Sequence, residues 1–281
     1  MNRKHGLLAL LVLLTTALAC VIPGTTTSAP LPTPTADTRL EIMVAETVSA
    51  ALQMTQQPML IVEETEAPET VPTEIPATAT PSAETTLGKN EDGSNIFTDF
   101  LGGYQLTVPA PWLALRIDSP EYDAALTLPE ASNPAIQRSL STIQAQDPDV
   151  FRLFALDVNE EHLDGGFVTN INLVWDQQEK LSLPNDARLA EIADALPSAV
   201  EGTEVLYFEV RTSQSGVPYG VITSQMRGVT QDGTNLVIRQ KMVFFDLPVG
   251  ALSITLSTTE TLLETIEPSF DAMIETLAVM E

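Results

Sequence analysis

The sequence predicts an α+β fold, an antiparallel sheet flanked by helices, placed behind a long extended N-terminal stretch. Three observations lead there. Segments between residues 204 and 257 alternate apolar and polar side chains with the period of a half-buried strand. Helix-period segments fall at three separated points, near residues 134, 187 and 270, which places helices beside a sheet. From Val21 to about Gly93 the chain is instead rich in Thr, Pro and Glu, and such a stretch buries too little apolar surface to offset its ordering entropy. The remaining residues, 95–281, are enough for one sizeable core.

Taken in order, Tyr104–Val108 reads as a strand, Pro109-Ala110-Pro111-Trp112 as a turn, and Leu113–Ile117 as a second strand. Asn133 followed by Pro134 opens a helix to about Gln146: Asn caps the first turn, and Pro lacks an N–H that would have no helical partner there. Strands follow at Arg152–Val158 and Phe167–Trp175. A helix over Asp186–Leu196 gathers Leu189, Ile192, Ala193 and Leu196 on one face. Four strands come next, at Glu204–Thr212, Tyr219–Arg227, Leu236–Phe245 and Ala251–Ser257, with a tight turn at Gln231-Asp232-Gly233-Thr234. In the second of these Val221, Thr223, Gln225 and Arg227 oppose Ile222, Ser224 and Met226; in the third Arg239 and Lys241 oppose Ile238, Gln240 and Met242. A final helix opens near Pro268 and buries Phe270, Met273, Ile274 and Leu277.

Composition removes several functions. The 281 residues include 38 acidic and 13 basic side chains, a formal charge of -25, and a phosphate backbone is held by clustered Lys and Arg, so nucleic acid is not an expected partner. A single Cys excludes an internal disulfide framework and any multi-Cys metal site. No glycine-rich phosphate-binding pattern occurs, and the sequence implies no cofactor.

The N-terminus reads as a targeting segment over residues 1–19. Arg3, Lys4 and His5 precede an apolar run, Gly6–Thr16, that is too short to span a hydrocarbon core needing roughly 20 residues. Ala17-Leu18-Ala19-Cys20 then resembles the lipobox of bacterial lipoproteins, in which small residues precede a Cys that is lipidated and becomes the first mature residue. The family usually has Leu where Ala17 stands. The resemblance implies an extracytoplasmic protein held on a bacterial membrane through lipid on Cys20; acyl chains contribute roughly 0.8 kcal/mol per buried CH₂, so two or more of them anchor durably. An ordinary secretory signal is the alternative reading. Residues 20–94 then form a Thr/Pro-rich tether, with Pro30, Pro32, Pro34, Pro68, Pro72, Pro76 and Pro81 favouring extended polyproline conformation. One island in it, residues 38–56, places Leu40, Met43, Val44, Val48, Ala51 and Leu52 at helical spacing.

Two stretches carry a second resemblance. Gly103-Tyr104-Gln105-Leu106-Thr107-Val108-Pro109 with Trp112 looks like the opening strand of the PsbP/Mog1-type α/β/α sandwich, and the run from Arg239 through Ser253-Ile254-Thr255-Leu256 and Glu267-Pro268-Ser269-Phe270 to Leu277 is similar to its closing hairpin and helix. The likeness spans about Phe97–Glu281. It implies no shared catalytic residues, and it implies binding or assembly rather than catalysis.

Candidate chemistry is sparse. His162 is the only His beyond the targeting segment, it lies in the acidic turn Asn159–Gly166, and no G-x-S-x-G elbow accompanies it. In and beside that turn Asp157, Asn159, Glu161 and Asp164 supply oxygen ligands at close spacing for a cation such as Ca²⁺, although an EF-hand loop would need Gly where His162 stands. A solvated loop is the preferred reading, and no metal site is expected. Trp112, Trp175, Tyr104, Tyr207, Tyr219, Phe244 and Phe245 read as core or half-buried sheet residues before sugar platforms or ligand cages. Arg227, Arg239 and Lys241 share one sheet face and form a basic island on an acidic domain, expected to be exposed and paired with nearby carboxylates; they are also the candidate partner patch. The expectation is a non-catalytic, membrane-anchored envelope protein that binds or assembles a protein partner. The alternative is a lipid-anchored protein capturing a small ligand in a pocket between sheet and helices.

Overall fold

A computed structural model describes residues 84–183, 185–229 and 235–280. The targeting segment, Cys20, the 38–56 island, most of the tether and the Gln231–Thr234 turn lie outside the described residues.

The chain runs β1 (Thr85–Lys89), β2 (Asn95–Asp99), β3 (Tyr104–Val108), β4 (Leu113–Leu115), α1 (Pro120–Ala125), α2 (Pro134–Gln144), β5 (Phe151–Leu156), β6 (Asn170–Asp176), α3 (Ala187–Ala199), β7 (Glu204–Thr212), β8 (Pro218–Val229), β9 (Asn235–Asp246), β10 (Ala251–Thr259), α4 (Leu263–Glu275) and β11 (Ala278–Val279). The class is α+β, as predicted. The strands divide between two antiparallel sheets where one was expected: a four-stranded sheet ordered β1-β2-β3-β11 and a seven-stranded sheet ordered β4-β5-β6-β10-β9-β8-β7.

Alternation on the large sheet builds two cores. One face meets α1, α2 and α3, burying Tyr122, Ile136, Leu140, Ile143, Leu189, Ile192 and Leu196 against Phe154, Val174, Ile222, Met242 and Phe244. The other face meets α4 and the small sheet, burying Ile266, Phe270, Met273 and Ile274 with Phe97, Tyr104 and Leu106 against Leu173, Val221, Val243, Ile254 and Leu256. Each such fully buried side chain contributes roughly 1.5–3 kcal/mol, so the two interfaces dominate stability. Gly220 of β8 permits the closest approach: a Cβ there would sit 2.7 Å from Leu189 Cδ1 of α3.

Local signals explain the helix starts. Asn133 Oδ1 accepts from Ala135 N at 2.9 Å, with Pro134 in the first turn, and α2 opens where predicted. Helix α4 starts at Leu263, a turn earlier than predicted. Pro268 sits inside it; Pro is a weak stop here because Ile266, in the preceding turn, is buried in the core. The sequence reading also gave residues 85–94 to the tether, whereas Thr85–Lys89 is a strand. Its Thr-Thr-Leu-Gly-Lys sequence has no alternation strong enough to announce it, and pairing along β2, from Thr85 opposite Asp99 to Lys89 opposite Asn95, places it.

A buried ion pair joins the sheets. Arg152 of β5 meets Asp99 of β2 with Nε to Oδ2 at 2.8 Å and Nη2 to Oδ1 at 3.2 Å; the Asp side chain is fully buried and the Arg side chain 5 % exposed. Asp99 Oδ1 also accepts from Leu101 N and Gly102 N, each at 3.0 Å, and the guanidinium lies 5.4 Å from the Trp175 ring centroid. Burial opposes the Arg152 charge, but hydrogen bonding and attraction to Asp99 outweigh it and raise its pKa. The buried Tyr104 hydroxyl beside them is pushed well above the usual phenol range by burial first and by the Asp99 carboxylate second.

Candidate interaction surface

The acidic turn does not gather its carboxylates. Asp157 is buried and its oxygens are engaged locally: Oδ1 accepts from Asn159 N at 3.1 Å and Oδ2 meets His162 Nδ1 at 2.6 Å. Asn159 Oδ1 accepts from Glu161 N at 3.1 Å and caps a 3-10 turn, Glu160–His162. Asp164 instead bridges to Phe167 across the hairpin. Asp157, Asn159, Glu161 and Asp164 therefore shape a turn. Among the described residues no group of three or more His, Cys, Asp or Glu side chains is placed to hold a metal ion. His162 has Asp157 as its side-chain partner, and among the described residues no serine is hydrogen-bonded to it.

Trp112 and Trp175 both lie in the core on the α4 side, where Trp112 Nε1 donates to Ser269 Oγ at 3.1 Å and Trp175 Nε1 to the Val249 carbonyl at 2.9 Å. Tyr104, Tyr219, Phe244 and Phe245 are buried as expected.

The basic island is brought together only in part. The β8–β9 register sets Thr223 opposite Lys241, Gln225 opposite Arg239 and Arg227 opposite Val237, so the three basic residues do share the α4-facing side of the sheet. They are not an exposed trio. The Lys241 side chain is 4 % exposed, lies against α4, and donates to Glu267 Oε1 and Asp271 Oδ1, both at 2.6 Å. Arg239 is half-buried and pairs with Glu260. The reason is coverage: α4 crosses this face and brings two carboxylates above Lys241, which strand alternation cannot reveal. Arg227 alone of the three is exposed, and with Glu204, Gln225, Met226, Val237 and Glu260 it lines an open groove of about 370 Å³. That groove lies at the end of the sheet, not between sheet and helices.

The strongest surface feature is strand β7, which sequence reasoning placed correctly but read as core or half-buried at Tyr207. It forms one edge of the seven-stranded sheet, and its consecutive residues Leu206, Tyr207 and Phe208 are 39, 42 and 40 % exposed. Pairing with β8 slips between Val205 and Tyr207, a bulge that frees Leu206 from the ladder. Val205 and Val210 lean onto the core under α3, while Tyr207, Glu209 and Arg211 occupy the opposite face, where Arg211 is bound to Glu209. The available signal was the unbroken run Val205-Leu206-Tyr207-Phe208: a strand with one buried face alternates, and four apolar residues in a row leave some of them outside. The other edge strand, β4, has three residues, with Ala114 and Leu115 buried.

No protein-family model matches the chain, and no curated protein matches its sequence. Solved structures do. PsbP from the cyanobacterium Synechocystis sp. PCC 6803 is 14 % identical, with a TM-score of 0.40 over 72 % of this chain and 96 % of its own. The Ran-binding protein Mog1p of Saccharomyces cerevisiae is 11 % identical, with a TM-score of 0.36 over 71 % and 97 %. LpqN of Mycobacterium tuberculosis, described as involved in cell envelope biogenesis, is 11 % identical, with a TM-score of 0.37 over 70 % and 91 %. The first two are the proteins for which the fold resembled by the sequence is named. With TM-scores below 0.5 and such identities, these likenesses assign no residue a role. Among the described residues no helix is long and apolar enough to cross a membrane.

Proposed function

We propose that this chain is a lipid-anchored, extracytoplasmic protein of a bacterial envelope whose α+β domain binds or assembles other envelope components without catalysing a reaction. The observation that carries the binding half is the exposed apolar run Leu206-Tyr207-Phe208 on the long edge strand β7. Natural sheets usually blunt their edges with short strands, charges or proline, and three large apolar side chains in succession run against that habit. The anchoring half rests on Ala17-Leu18-Ala19-Cys20 after a short apolar run and on the Thr/Pro tether behind it.

Each half has its own test. Detergent phase separation of cells expressing the full chain places wild type in the detergent phase and Cys20→Ala in the aqueous phase; an unchanged partition defeats the anchoring. A photo-crosslinking amino acid placed at Tyr207, and separately at the exposed Phe100 of the β2–β3 turn, reports on partners in the native envelope. Defined adducts with an envelope component support binding, and their absence from both positions defeats it.

A further inference from the structure

Resting on that binding reading, we infer that β7 is an acceptor for strand addition and that its occupant is an extended, net-basic peptide segment. The two edges of the large sheet differ in kind. β4 is three residues long and mostly buried, whereas β7 is nine residues long, exposed through most of its length, and has no strand on its outer side among the described residues. Nine residues offer an edge about 30 Å long, enough for a complete partner strand. Main-chain hydrogen bonds along that edge give affinity of a sequence-tolerant kind, and flanking side chains select the occupant.

Here the flanking side chains are apolar at the centre and acidic around it. Tyr207 and Phe208 lie on opposite faces of the strand, by their register against Thr223 and Ile222, so an added strand finds an aromatic neighbour on either side. Glu204 and Glu209 on the strand, Glu201 before it, and Glu191 and Asp194 on α3 behind it are all exposed acids. Arg211 pairs with Glu209 and Arg188 with Glu191 and Glu179, so the net acidity beside the strand comes from Glu201, Glu204 and Asp194, against the exposed Arg227 of β8. A second copy of this chain would bring the same acidic surround against itself, with 27 acidic and 9 basic residues in each domain, and like charges across a pairing are unfavourable. A basic apolar strand meets both features.

The probe is a synthetic decapeptide, Lys-Lys-Val-Thr-Val-Thr-Val-Thr-Lys-Lys, with a counterpart carrying Glu in place of Lys, titrated into the detergent-solubilised full chain. Amide hydrogen exchange read by mass spectrometry should slow about tenfold or more over Glu204–Thr212 with the basic peptide and stay unchanged with the acidic one. The double variant Leu206→Lys with Phe208→Lys should lose the protection while keeping slow exchange in β10; Tyr207→Lys, at a solvent-facing position, repeats the test with less demand on folding. The proposal is overturned if millimolar basic peptide leaves β7 exchange unchanged, if the acidic peptide protects equally, or if β7 becomes protected with rising protein concentration and no peptide, the signature of self-pairing. Loss of peptide binding with crosslinks retained at Phe100 or Tyr207 defeats strand addition but leaves envelope binding standing. Loss of both defeats the two together.

Discussion

Replacing Asp99 by Asn tests whether the Asp99–Arg152 pair holds the two sheets together. The substitution is nearly isosteric, so its consequences are electrostatic. The new amide oxygen can still accept from Leu101 N and Gly102 N, which Asp99 Oδ1 does at 3.0 Å. Its NH₂ group, however, takes the place of Oδ2 and faces the Arg152 Nε–H, donor against donor, where a 2.8 Å charge-assisted bond stood. Arg152 is then a buried cation whose remaining partners are the neutral amide oxygen 3.2 Å from Nη2, the largely exposed Glu84 at 3.9 Å and the Trp175 face at 5.4 Å. Stranding one member of a buried pair costs about 3–5 kcal/mol. With a urea slope of about 1–3 kcal/mol per molar, Asp99→Asn should lower the unfolding midpoint by about 2 M. The buried Trp112 and Trp175 report the transition by fluorescence. Adding Arg152→Met removes the stranded charge, so the double variant should recover about 2 kcal/mol or more relative to the sum of the single losses. A loss under about 1 kcal/mol for Asp99→Asn, or additive single effects, would refute the reasoning.

Two further predictions concern titratable side chains. Lys241→Met should cost about 1–2 kcal/mol in the same urea assay, a modest figure because Glu267 and Asp271 are partly exposed, and it should quicken amide exchange in α4 before β9. Burial alone would depress the Lys241 pKa, but its hydrogen bonds to Asp271 and Glu267 outweigh this and raise it. Its contribution should thus be complete below pH about 10.4 and lost only as pH climbs through the folded value, leaving the difference between variant and wild type equal at pH 7 and pH 9. Glu179 behaves oppositely: it is buried, and desolvation, with a smaller contribution from Asp176, holds its carboxyl above the usual range against the attraction of Arg188. A carboxyl whose folded pKa exceeds its unfolded one takes up a proton on folding, so it subtracts from stability above that folded value and ceases to do so as pH falls through the window toward about 4.3. Glu179→Gln should therefore be more stable than wild type at pH 7 and lose that advantage near pH 4; equal stability at both values would disprove the assignment.

Much of the architecture was legible before any coordinates. Asn133-Pro134 marked the start of α2 because a cap is chemistry local to one turn, and β8 and β9 were found because alternation separates the two faces of a strand. The second sheet was not legible. β1 and β2 are five residues each, without a strong period, and exist because β3 offers β2 a ladder and β2 offers one to β1. Of the candidate sites, the acidic turn was read as a turn in preference to a ligand set; closeness in sequence does not decide whether oxygens converge or bond their own backbone, and here Asp157 and Asn159 bond the backbone. Arg227, Arg239 and Lys241 were rightly placed on one face; Arg227 was rightly left in solvent, but Lys241 is covered and Arg239 half-covered.

That last case separates the two sources of information. The sequence by itself determined the class, the starts of α2 and α3 and which side chains of a strand travel together, because capping and periodicity are local properties; α1 was not foreseen and α4 starts earlier than foreseen. Only the tertiary structure decided which face α4 covers, which of the two sheet edges stays open, and that Asp99 and Arg152, 53 positions apart, meet in the core. Those outcomes depend on where separate elements dock, and docking is governed by the summed fit of many apolar side chains drawn from distant parts of the chain, not by any single segment.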